Sequence, residues 1–283
     1  VGDDIDGEAP NNYSGWSVSL SPDGSRVAIG AYGNDGAQYS NKTDSGHVRI
    51  YQYNNNSWSQ LGADINGEAL NDGSGYSVSL SSDGSRLAIG GYLNDGNGTD
   101  SGHVRIYDYN GSAWVQVGAD IDGEAADDRS GSTVSLSSDG SRLAIGADGN
   151  DANGSASGHV RIYSYTPSGV SSWTQLGADI DGEASGDSSG YSVSFSSDGN
   201  IVAIGAIGNN GNGSTSGHVR IYSWNGTAWT KLGSDIDGEA ANDVSGRSVS
   251  LSSDGSRVAI GASGNDGNGT NSGHVRIYSW NGS

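Results

Sequence analysis

The chain has 283 residues, of which 33% are apolar and 49 are glycine, and its formal net charge is −20. With no cysteine it cannot form a disulfide or a thiolate metal site. Its negative charge argues against nucleic acid and anionic lipid as partners, and apolar runs of about five residues are too short to cross a bilayer. We therefore expect a glycan or a protein surface as partner, with self-association as a further option. The start at Val1, without methionine, is expected of a mature or excised segment.

One heptapeptide, Ser-Gly-His-Val-Arg-Ile-Tyr, occurs five times at intervals of roughly 56–60 residues. A repeat of this length predicts an array of equivalent structural units. Positions that are identical in every copy are expected to serve the fold, whereas positions that differ are candidates for a specific site. The repeated histidines are His47, His103, His159, His218 and His274.

Each copy predicts four short strands and no helix. In the second copy, alternating residues predict the first strand and a continuous apolar run predicts the second, with an Asp-Gly turn between them. The third strand begins at the repeated histidine, and the fourth follows an Asn-Gly turn. These four predicted strands are Ser77–Ser81, Arg86–Gly90, His103–Tyr107 and Trp114–Gly118.

Five such units predict an all-β fold: a five-bladed β-propeller with four antiparallel strands per blade, in a single domain over residues 1–283. The C-terminal residues Asn281–Ser283 match Asn110–Ser112, which precede a fourth strand. The N-terminal residues Val1–Ile5 match Val117–Ile121, the end of a fourth strand. We therefore expect the N-terminal residues to complete the last blade and close the ring, with an open solenoid as the alternative.

Three segments of the second copy resemble the FG-GAP repeat, which builds the propeller of integrin α chains: Ser74–Leu80, Leu87–Gly90 and Gly102–Tyr107. The resemblance extends to every copy. It implies a propeller whose ligand face is formed by the loops after strands two and four. The chain departs from the family in having five copies rather than seven. The family's calcium loop joins strands one and two, where this chain has only a short turn, so that calcium site is not carried over.

The loop after the fourth strand repeats the acidic pattern Asp-x-Asp-x-Glu-x-x-x-Asp. Alternating carboxylates on a turning loop can converge on a hard cation, and Ca²⁺ accepts several oxygen ligands in flexible geometry. Alternatively, the same side chains hold the turn by accepting hydrogen bonds from backbone N–H groups. The candidate Ca²⁺ ligands are Asp120, Asp122, Glu124, Asp128, Asp179, Asp181, Glu183, Asp187, Asp235, Asp237, Glu239 and Asp243.

The repeated histidines do not predict a shared metal ion, because they open the third strand, away from the axis of a propeller. We expect each of them to make a repeated hydrogen bond between blades. The arginine two residues further on, such as Arg105 after His103, is expected to pair with loop aspartates and neutralise them.

A second candidate site consists of aromatic residues at positions that differ among the copies. These positions begin strand one or follow strand two, so they are expected near the axis on the ligand face. Exposed rings beside carboxylates and amides suit a sugar, because ring faces cover C–H groups while polar neighbours bond hydroxyls. Packing of these rings between blades is the alternative. The candidate ligand-binding residues are Trp16, Tyr32, Tyr39, Tyr76, Tyr92 and Tyr191.

Nucleophilic catalysis needs an asymmetric group of nucleophile, base and orienting acid. Every histidine and nearly every arginine in this chain belongs to the repeat. The sequence therefore predicts a non-enzymatic extracellular module for binding or adhesion to a glycan or protein, with Ca²⁺ as a candidate cofactor. A structural subunit of a surface layer or filament is the first alternative, and a polysaccharide-active enzyme is the second.

Overall fold

The structure is a computed structural model that describes residues 2–35, 44–167 and 172–282, without the side chain of Ser172. In these ranges the strands belong to five antiparallel sheets, one for each copy of the repeat, and no helix is present. The same ranges therefore contain no helix that is long and apolar enough to cross a membrane. The all-β prediction is confirmed.

The strands follow one order in every copy of the repeat. The first sheet contains β1 (Ser17–Leu20), β2 (Arg26–Ala31), β3 (His47–Asn54), β4 (Ser57–Gln60) and β5 (Ile65–Asn66). The second contains β6 (Ser74–Leu80), β7 (Arg86–Gly91), β8 (His103–Tyr109), β9 (Trp114–Gln116) and β10 (Ile121–Asp122). The third contains β11 (Thr133–Leu136), β12 (Arg142–Ala147), β13 (His159–Thr166), β14 (Ser172–Gln175) and β15 (Ile180–Asp181).

The last two sheets differ in their number of strands. The fourth sheet contains β16 (Ser189–Phe195), β17 (Ile201–Ala206), β18 (His218–Trp224), β19 (Trp229–Lys231) and β20 (Ile236–Asp237). The fifth contains β21 (Ser245–Leu251), β22 (Arg257–Ala262) and β23 (His274–Ser279).

The chain divides into two compact units. The first unit comprises Val1–Ser141 with Tyr165–Trp173, and the second comprises Arg142–Ser164 with Thr174–Ser283.

The predicted fourth strand is split into two short strands. In the second sheet, β9 pairs with the C-terminal part of β8 and β10 pairs with its first two residues. Gly118 lies between β9 and β10 with a φ of 85°, a left-handed conformation that interrupts an extended strand. Each of the first four sheets therefore has five strands, rather than the four that the sequence predicts.

The N-terminal segment does not complete the last sheet as the sequence predicts. The fifth sheet has three strands among the described residues, and residues 2–7 form no strand. A Cβ on Gly2 would lie 3.0 Å from the Trp58 ring, just as one on Gly62 would lie 3.0 Å from the Trp114 ring. The N-terminal segment therefore packs on the first sheet as the end of a fourth strand packs on the sheet that follows it.

Consecutive sheets pack face to face through two different faces. The front face of a sheet carries the valine and leucine of its first strand, such as Val78 and Leu80 on β6. The back face carries apolar residues of strands two and three, such as Ala28, Val48 and Ile50 on β2 and β3. In the first unit these five side chains belong to one buried cluster. Burial of such side chains supplies most of the stability of this contact.

The second unit repeats this packing with the corresponding residues. Ala203 and Val219, on the back face of the fourth sheet, are fully buried against Val258 and Ile260, on the front face of the fifth. The core therefore consists of apolar layers between consecutive sheets.

Glycine allows the backbones of consecutive sheets to approach closely. A Cβ at Gly90 on β7 would lie 2.0 Å from the carbonyl oxygen of Gly131, in the next copy of the repeat. The hydroxyl of Ser77, on β6, donates a hydrogen bond of 2.7 Å to that same carbonyl. A Cβ at Gly30 would lie at the same distance, 2.0 Å, from the Gly75 carbonyl oxygen. The glycine of the repeated Ala-Ile-Gly triplet thus allows a close backbone contact that any side chain would block.

Candidate functional site

Five aromatic rings of the first unit touch one another in series, and we call them the aromatic cluster. Tyr13 stacks on Tyr32 with ring centroids 5.1 Å apart, and Trp16 meets Tyr32 edge-on at 4.9 Å. Trp16 also lies 5.5 Å from Tyr76, which in turn lies 4.0 Å from Tyr92. Tyr13 and Trp16 are each more than half exposed. The structure therefore brings together Trp16, Tyr32, Tyr76 and Tyr92, which the sequence placed in one site, and adds Tyr13.

Irregular backbone geometry sets the orientation of these rings. The Trp16 N–H donates to the Tyr13 carbonyl at 3.0 Å, and Tyr13 itself has a φ of 52°. Tyr76 lies in a β-bulge, because the pairing of β6 with β7 jumps from Ser74 to Ser77. Bulges turn side chains out of the regular alternation of a strand. Two departures from regular strand geometry thus place rings of adjacent sheets in contact.

Three charged residues act electrostatically on the cluster. Burial raises the pKa of Tyr92, Tyr32 adds to the rise, Arg129 lowers the pKa, and Asp100 and Asp44 raise it again. Asp44 also raises the pKa of Tyr32, after the larger effects of burial and of Tyr13. The Arg129 backbone N–H donates to the Asp100 carbonyl at 3.1 Å. Arg129, Asp100 and Asp44 therefore lie near enough to Tyr92 for their charges to act on its hydroxyl group.

Sequence analysis missed Tyr13, Arg129, Asp44 and Asp100, although the repeat contained a signal for them. Two variable positions carry all four. The position before Ser-Gly in strand one holds Tyr13, Gly73, Arg129, Ser188 and Val244 in the five copies. The position before the Ser-Gly-His motif holds Asp44, Asp100, Ala156, Thr215 and Asn271. Acids at the second position occur only in the first two copies, the copies that carry the clustered aromatic residues.

Two predicted ligand-binding residues stand apart from the cluster. Tyr39 lies outside the described residues. Tyr191 belongs to the second unit, where the guanidinium of Arg247 lies over its ring at 5.7 Å from the centroid. Because the residue after strand two in that copy is Ile207 rather than tyrosine, Tyr191 has no counterpart of the Tyr76–Tyr92 contact.

The last aspartate of each acidic loop holds the turn. Asp128 is buried, and its Oδ2 accepts hydrogen bonds from the N–H groups of Glu124 at 3.0 Å and Ala125 at 2.9 Å. Equivalent bonds are made by Asp72, Asp187 and Asp243. This is the turn role that the sequence left as the alternative to Ca²⁺ binding. Ca²⁺ binding by the predicted ligands stays a prediction.

The first aspartate of the loop lies instead with a histidine. The carboxylates of Glu68 and Asp120 and a ring nitrogen of His103 lie within 4.8 Å of one another. His103 is almost fully buried, and its Nδ1 is 3.7 Å from Asp120. Equivalent groups consist of Glu8, His47 and Asp64 in the first unit, and of Glu183, His218 and Asp235 in the second. His47, His103 and His218 thus each meet acids from two consecutive acidic loops.

The repeated arginines bind the loop backbone rather than its aspartates. Arg105 donates from Nη2 to the Asn66 carbonyl at 2.7 Å, and its Nη1 lies 3.6 Å from Glu68. Arg220 makes the corresponding bond to the Asp181 carbonyl and lies 3.6 Å from Glu183. The ionic partner is therefore the loop glutamate, because the hydrogen bond to the carbonyl fixes the guanidinium beside it.

Lowering the pH is expected to destabilise the fold through His103. Burial, followed by the charge of Arg105, lowers the pKa of His103 to about 4, against the opposing effect of Asp120. Because the unfolded chain binds the proton more tightly, this contribution to stability is complete above pH 6.5 and is lost as the pH falls toward 4. Between pH 7.5 and pH 5 we expect His103 to account for a loss of about 2 kcal/mol in the free energy of unfolding, measured by urea denaturation.

The His103→Gln variant provides the control, since glutamine stays neutral in both states. Burial raises the pKa values of Glu68 and Asp72, which gives stability the opposite dependence on pH near pH 4 to 5. The difference between wild type and variant isolates the histidine. Equal slopes of stability against pH in the two proteins would contradict the prediction.

Comparison with known proteins identifies the repeat and the fold. The family model of the FG-GAP repeat matches residues 235–278. No curated protein matches the chain. Among solved structures, a periplasmic gluconolactonase of Pseudomonas aeruginosa matches with a TM-score of 0.59 and 18% identity, over 86% of this chain and 64% of that one.

Two further structures, described as 6-phosphogluconolactonases, come from Bacteroides uniformis and Bacteroides fragilis. Each matches with a TM-score of 0.51, at 14% and 13% identity, over 78% of this chain and 54% of the other. The chain thus spans 54% to 64% of the length of these lactonases. At this level of identity the likeness concerns the fold, which is propeller-like.

The comparisons overturn one prediction and confirm another. The expectation of a non-enzymatic binding or adhesion module is contradicted, because these structural neighbours are named as enzymes. Sequence reasoning discounted an enzyme because its histidines and arginines repeat, and it overlooked the variable positions of Arg129 and Asp100. The resemblance noted in the sequence is confirmed, because the family model of the FG-GAP repeat matches residues 235–278.

Proposed function

We propose that this chain acts as an enzyme that hydrolyses a sugar lactone, with the aromatic cluster as its substrate site. The observation that carries the proposal is the gathering of aromatic rings, Arg129 and two aspartates at positions that vary among otherwise similar copies. The names of the structural neighbours, gluconolactonase and 6-phosphogluconolactonase, support the substrate class.

The rings suit a sugar-derived substrate. Trp16 and Tyr13 are exposed at 53% and 54%, so their rings are accessible to a ligand. Both rings also pack against Tyr32. A sugar ring presents C–H groups that pack on an aromatic face, and its hydroxyls then reach the polar neighbours. The cluster would therefore bind and orient the substrate rather than react with it.

The charged residues suit the chemistry of ester hydrolysis. The carboxylate of Asp100 or Asp44 would take a proton from water as the water oxygen attacks the lactone carbonyl carbon. The Arg129 guanidinium would stabilise the negative charge that develops on the carbonyl oxygen. When the ring C–O bond breaks, the proton passes to the departing alkoxide oxygen. The product is the open hydroxy acid, and no co-reactant besides water is consumed.

Loss of the Arg129 charge is expected to slow lactone hydrolysis strongly. We expect the 283-residue chain to hydrolyse D-glucono-1,5-lactone above the spontaneous rate, and Arg129→Gln to lower kcat/KM by about a hundredfold, as removal of an oxyanion donor does elsewhere. Trp16→Ala should mainly raise KM. Acid release in weak buffer, followed with an indicator, measures the rate.

Arg247→Gln is the matched control, because Arg247 lies over the lone Tyr191 ring in the second unit. Its activity should equal that of the wild type. The proposal fails if the chain does not exceed the spontaneous rate, or if the two arginine variants lose activity equally.

A location outside the cytoplasm is part of this proposal. The periplasmic neighbour and the FG-GAP repeat support it. A five-bladed ring in a single domain over residues 1–283, Ca²⁺ at the acidic loops and the absence of a nucleic acid partner stay predictions. The hydrolysis described above depends on none of them.

A further inference from the structure

The histidine that opens the third strand of a copy lies beside two carboxylates from consecutive acidic loops. In the second copy the three residues are Glu68, His103 and Asp120, whose carboxylate oxygens and ring nitrogen lie within 4.8 Å of one another. We call such a set a Glu-His-Asp group. The Glu68 loop follows the first sheet, whereas His103 and the Asp120 loop belong to the second. The group therefore lies where two consecutive sheets meet.

His103 is a buried polar side chain that points into this group. It is 1% exposed, and its Nε2 has no hydrogen-bond partner among the described residues. Its Nδ1 faces Oδ2 of Asp120, but their separation of 3.7 Å is too long for a hydrogen bond. Buried polar groups are ordinarily paired, so the position of Nδ1 points to a ligand that the ring shares with the carboxylates.

A neighbouring side chain holds one oxygen of each carboxylate. Nη1 of Arg105 lies 3.6 Å from Oε1 of Glu68. The amide of Gln116 donates a hydrogen bond of 2.5 Å to Oδ1 of Asp120, so Oδ2 is the oxygen that faces His103. Outer contacts of this kind orient the carboxylates that bind metal ions in proteins.

The first copy repeats this arrangement with Glu8, His47 and Asp64. Oε2 of Glu8 lies 3.7 Å from Nδ1 of His47, whereas its Oε1 lies 3.8 Å from Nη1 of Arg49. The amide of Gln60 donates to Oδ1 of Asp64 at 2.6 Å. The two groups of the first unit therefore share both their ligand atoms and the side chains that support them.

The group of the second unit differs in one supporting residue. Its members are Glu183, His218 and Asp235, with Oε2 of Glu183 at 3.9 Å from Nδ1 of His218. Lys231 takes the place of the supporting glutamine and lies 2.5 Å from Asp235. The ammonium adds a positive charge beside the group, so we expect this group to bind a cation more weakly than the other two.

We propose that each Glu-His-Asp group of the first unit binds a divalent transition-metal ion such as Zn²⁺. The ligands would be Nδ1 of the histidine and one oxygen of each acid, with water in the fourth position of a tetrahedral site. The imidazole nitrogen favours Zn²⁺ over Ca²⁺, which takes oxygen ligands. The ion would join the acidic loops of consecutive sheets. It is independent of the proposed lactone hydrolysis, since no residue of the aromatic cluster takes part.

Only the carboxylates need to move for the group to close on an ion. Ligand atoms of a tetrahedral Zn²⁺ site lie about 3.3 Å apart, against 3.7 Å between Nδ1 of His103 and Oδ2 of Asp120. The side chains of Glu68 and Asp120 are exposed at 46% and 27%, so they can rotate. The ring cannot, because it is buried and a Cβ on Gly91 would lie 2.9 Å from its Nε2. With two carboxylates and one guanidinium, that of Arg105, the group is negatively charged, which also favours a cation.

Titration of the full chain with Zn²⁺, followed by NMR of ¹⁵N-labelled histidine side chains, tests the proposal. The chain has only five histidines, and the His103 signals are assigned by their absence from His103→Gln. Zn²⁺ should shift the Nδ1 signal of His103. In Glu68→Gln and Asp120→Asn the affinity read from this signal should fall by about tenfold or more, since loss of a merely supporting residue costs about that much. The His47 signal should respond to Zn²⁺ in both variants as it does in the wild type.

Asp122→Asn is the matched control, because Asp122 is an exposed acid of the same loop outside the Glu-His-Asp group. This variant should bind Zn²⁺ as the wild type does. Zn²⁺ should also raise the melting temperature of the wild type, since it binds only the folded chain, and raise that of Asp120→Asn less. An Nδ1 signal of wild-type His103 that stays unshifted at millimolar Zn²⁺ would overturn the proposal. Equal weakening by Asp122→Asn and Asp120→Asn would overturn it too, because the ion would then lie within one acidic loop.

Discussion

Replacement of Gly90 by alanine is expected to lower the free energy of unfolding by more than about 4 kcal/mol. The new Cβ would lie 2.0 Å from the Gly131 carbonyl oxygen and 2.4 Å from the Ser77 hydroxyl. The first of these atoms belongs to the backbone, so relief requires the two sheets to separate. Separation would also break the bond from Ser77 to Gly131 and open the apolar layer around it. Urea denaturation followed by circular dichroism measures the effect.

Gly261→Ala is the matched control, because Gly261 is the equivalent residue of the fifth sheet. A Cβ there would meet the Ser248 hydroxyl at 2.5 Å but no backbone of another sheet. Ser248 is an exposed side chain that can rotate away, so we expect a loss of roughly 1 kcal/mol or less. Similar losses for Gly90→Ala and Gly261→Ala would show that the approach of consecutive sheets does not limit this position.

Truncation of Ile106 to alanine is expected to destabilise the fold by about 2–5 kcal/mol. Ile106, on β8, is exposed at 1%, so its removal leaves a cavity that the surrounding sheets can fill only in part. The transition in urea should move to lower concentration with little change in slope, since the surface exposed on unfolding is nearly the same.

Ile277→Ala provides the comparison at the same place in the repeat. Ile277 is exposed at 72%, so in dilute monomer its truncation should change stability by less than about 0.5 kcal/mol. A large loss for Ile277→Ala at low protein concentration would mean that its face is covered within a single chain.

The repeat made most of the fold predictable from the sequence. Period-two alternation around Val78 and the apolar run around Ile89 correctly predicted the first two strands of a copy. The sequence did not predict the break in the fourth strand, because glycine takes positive and negative φ about equally readily, so Gly118 alone does not indicate which it adopts. The difference in exposure between Val18 and Val78 was not predictable either, since the two residues occupy the same local sequence and only Val78 is covered by another sheet.

The candidate site was predictable where it depended on equivalence between copies. Aligning the copies was enough to bring Trp16, Tyr32 and Tyr76 together. The sequence did not identify Arg129 and Asp100 as site residues, because their proximity depends on how the loops of consecutive copies meet. The acidic loop was left open for a similar reason: the hydrogen bonds of Asp128 show its role in the turn, whereas its spacing from Asp120 suited a cation equally well.

The position before Ser-Gly has a consequence for how specificity could change over time. Four of its five occupants are not glycine, yet all take positive φ: Tyr13 at 52°, Arg129 at 57°, Ser188 at 52° and Val244 at 57°. The backbone of this corner is held by hydrogen bonds of its own, such as that from the N–H of Arg129 to Asp100, so its shape does not depend on the side chain. In each copy the side chain at this position can therefore change while the apolar layers between the sheets stay intact. Exchanges at this one position would suffice to make equal copies chemically different from one another.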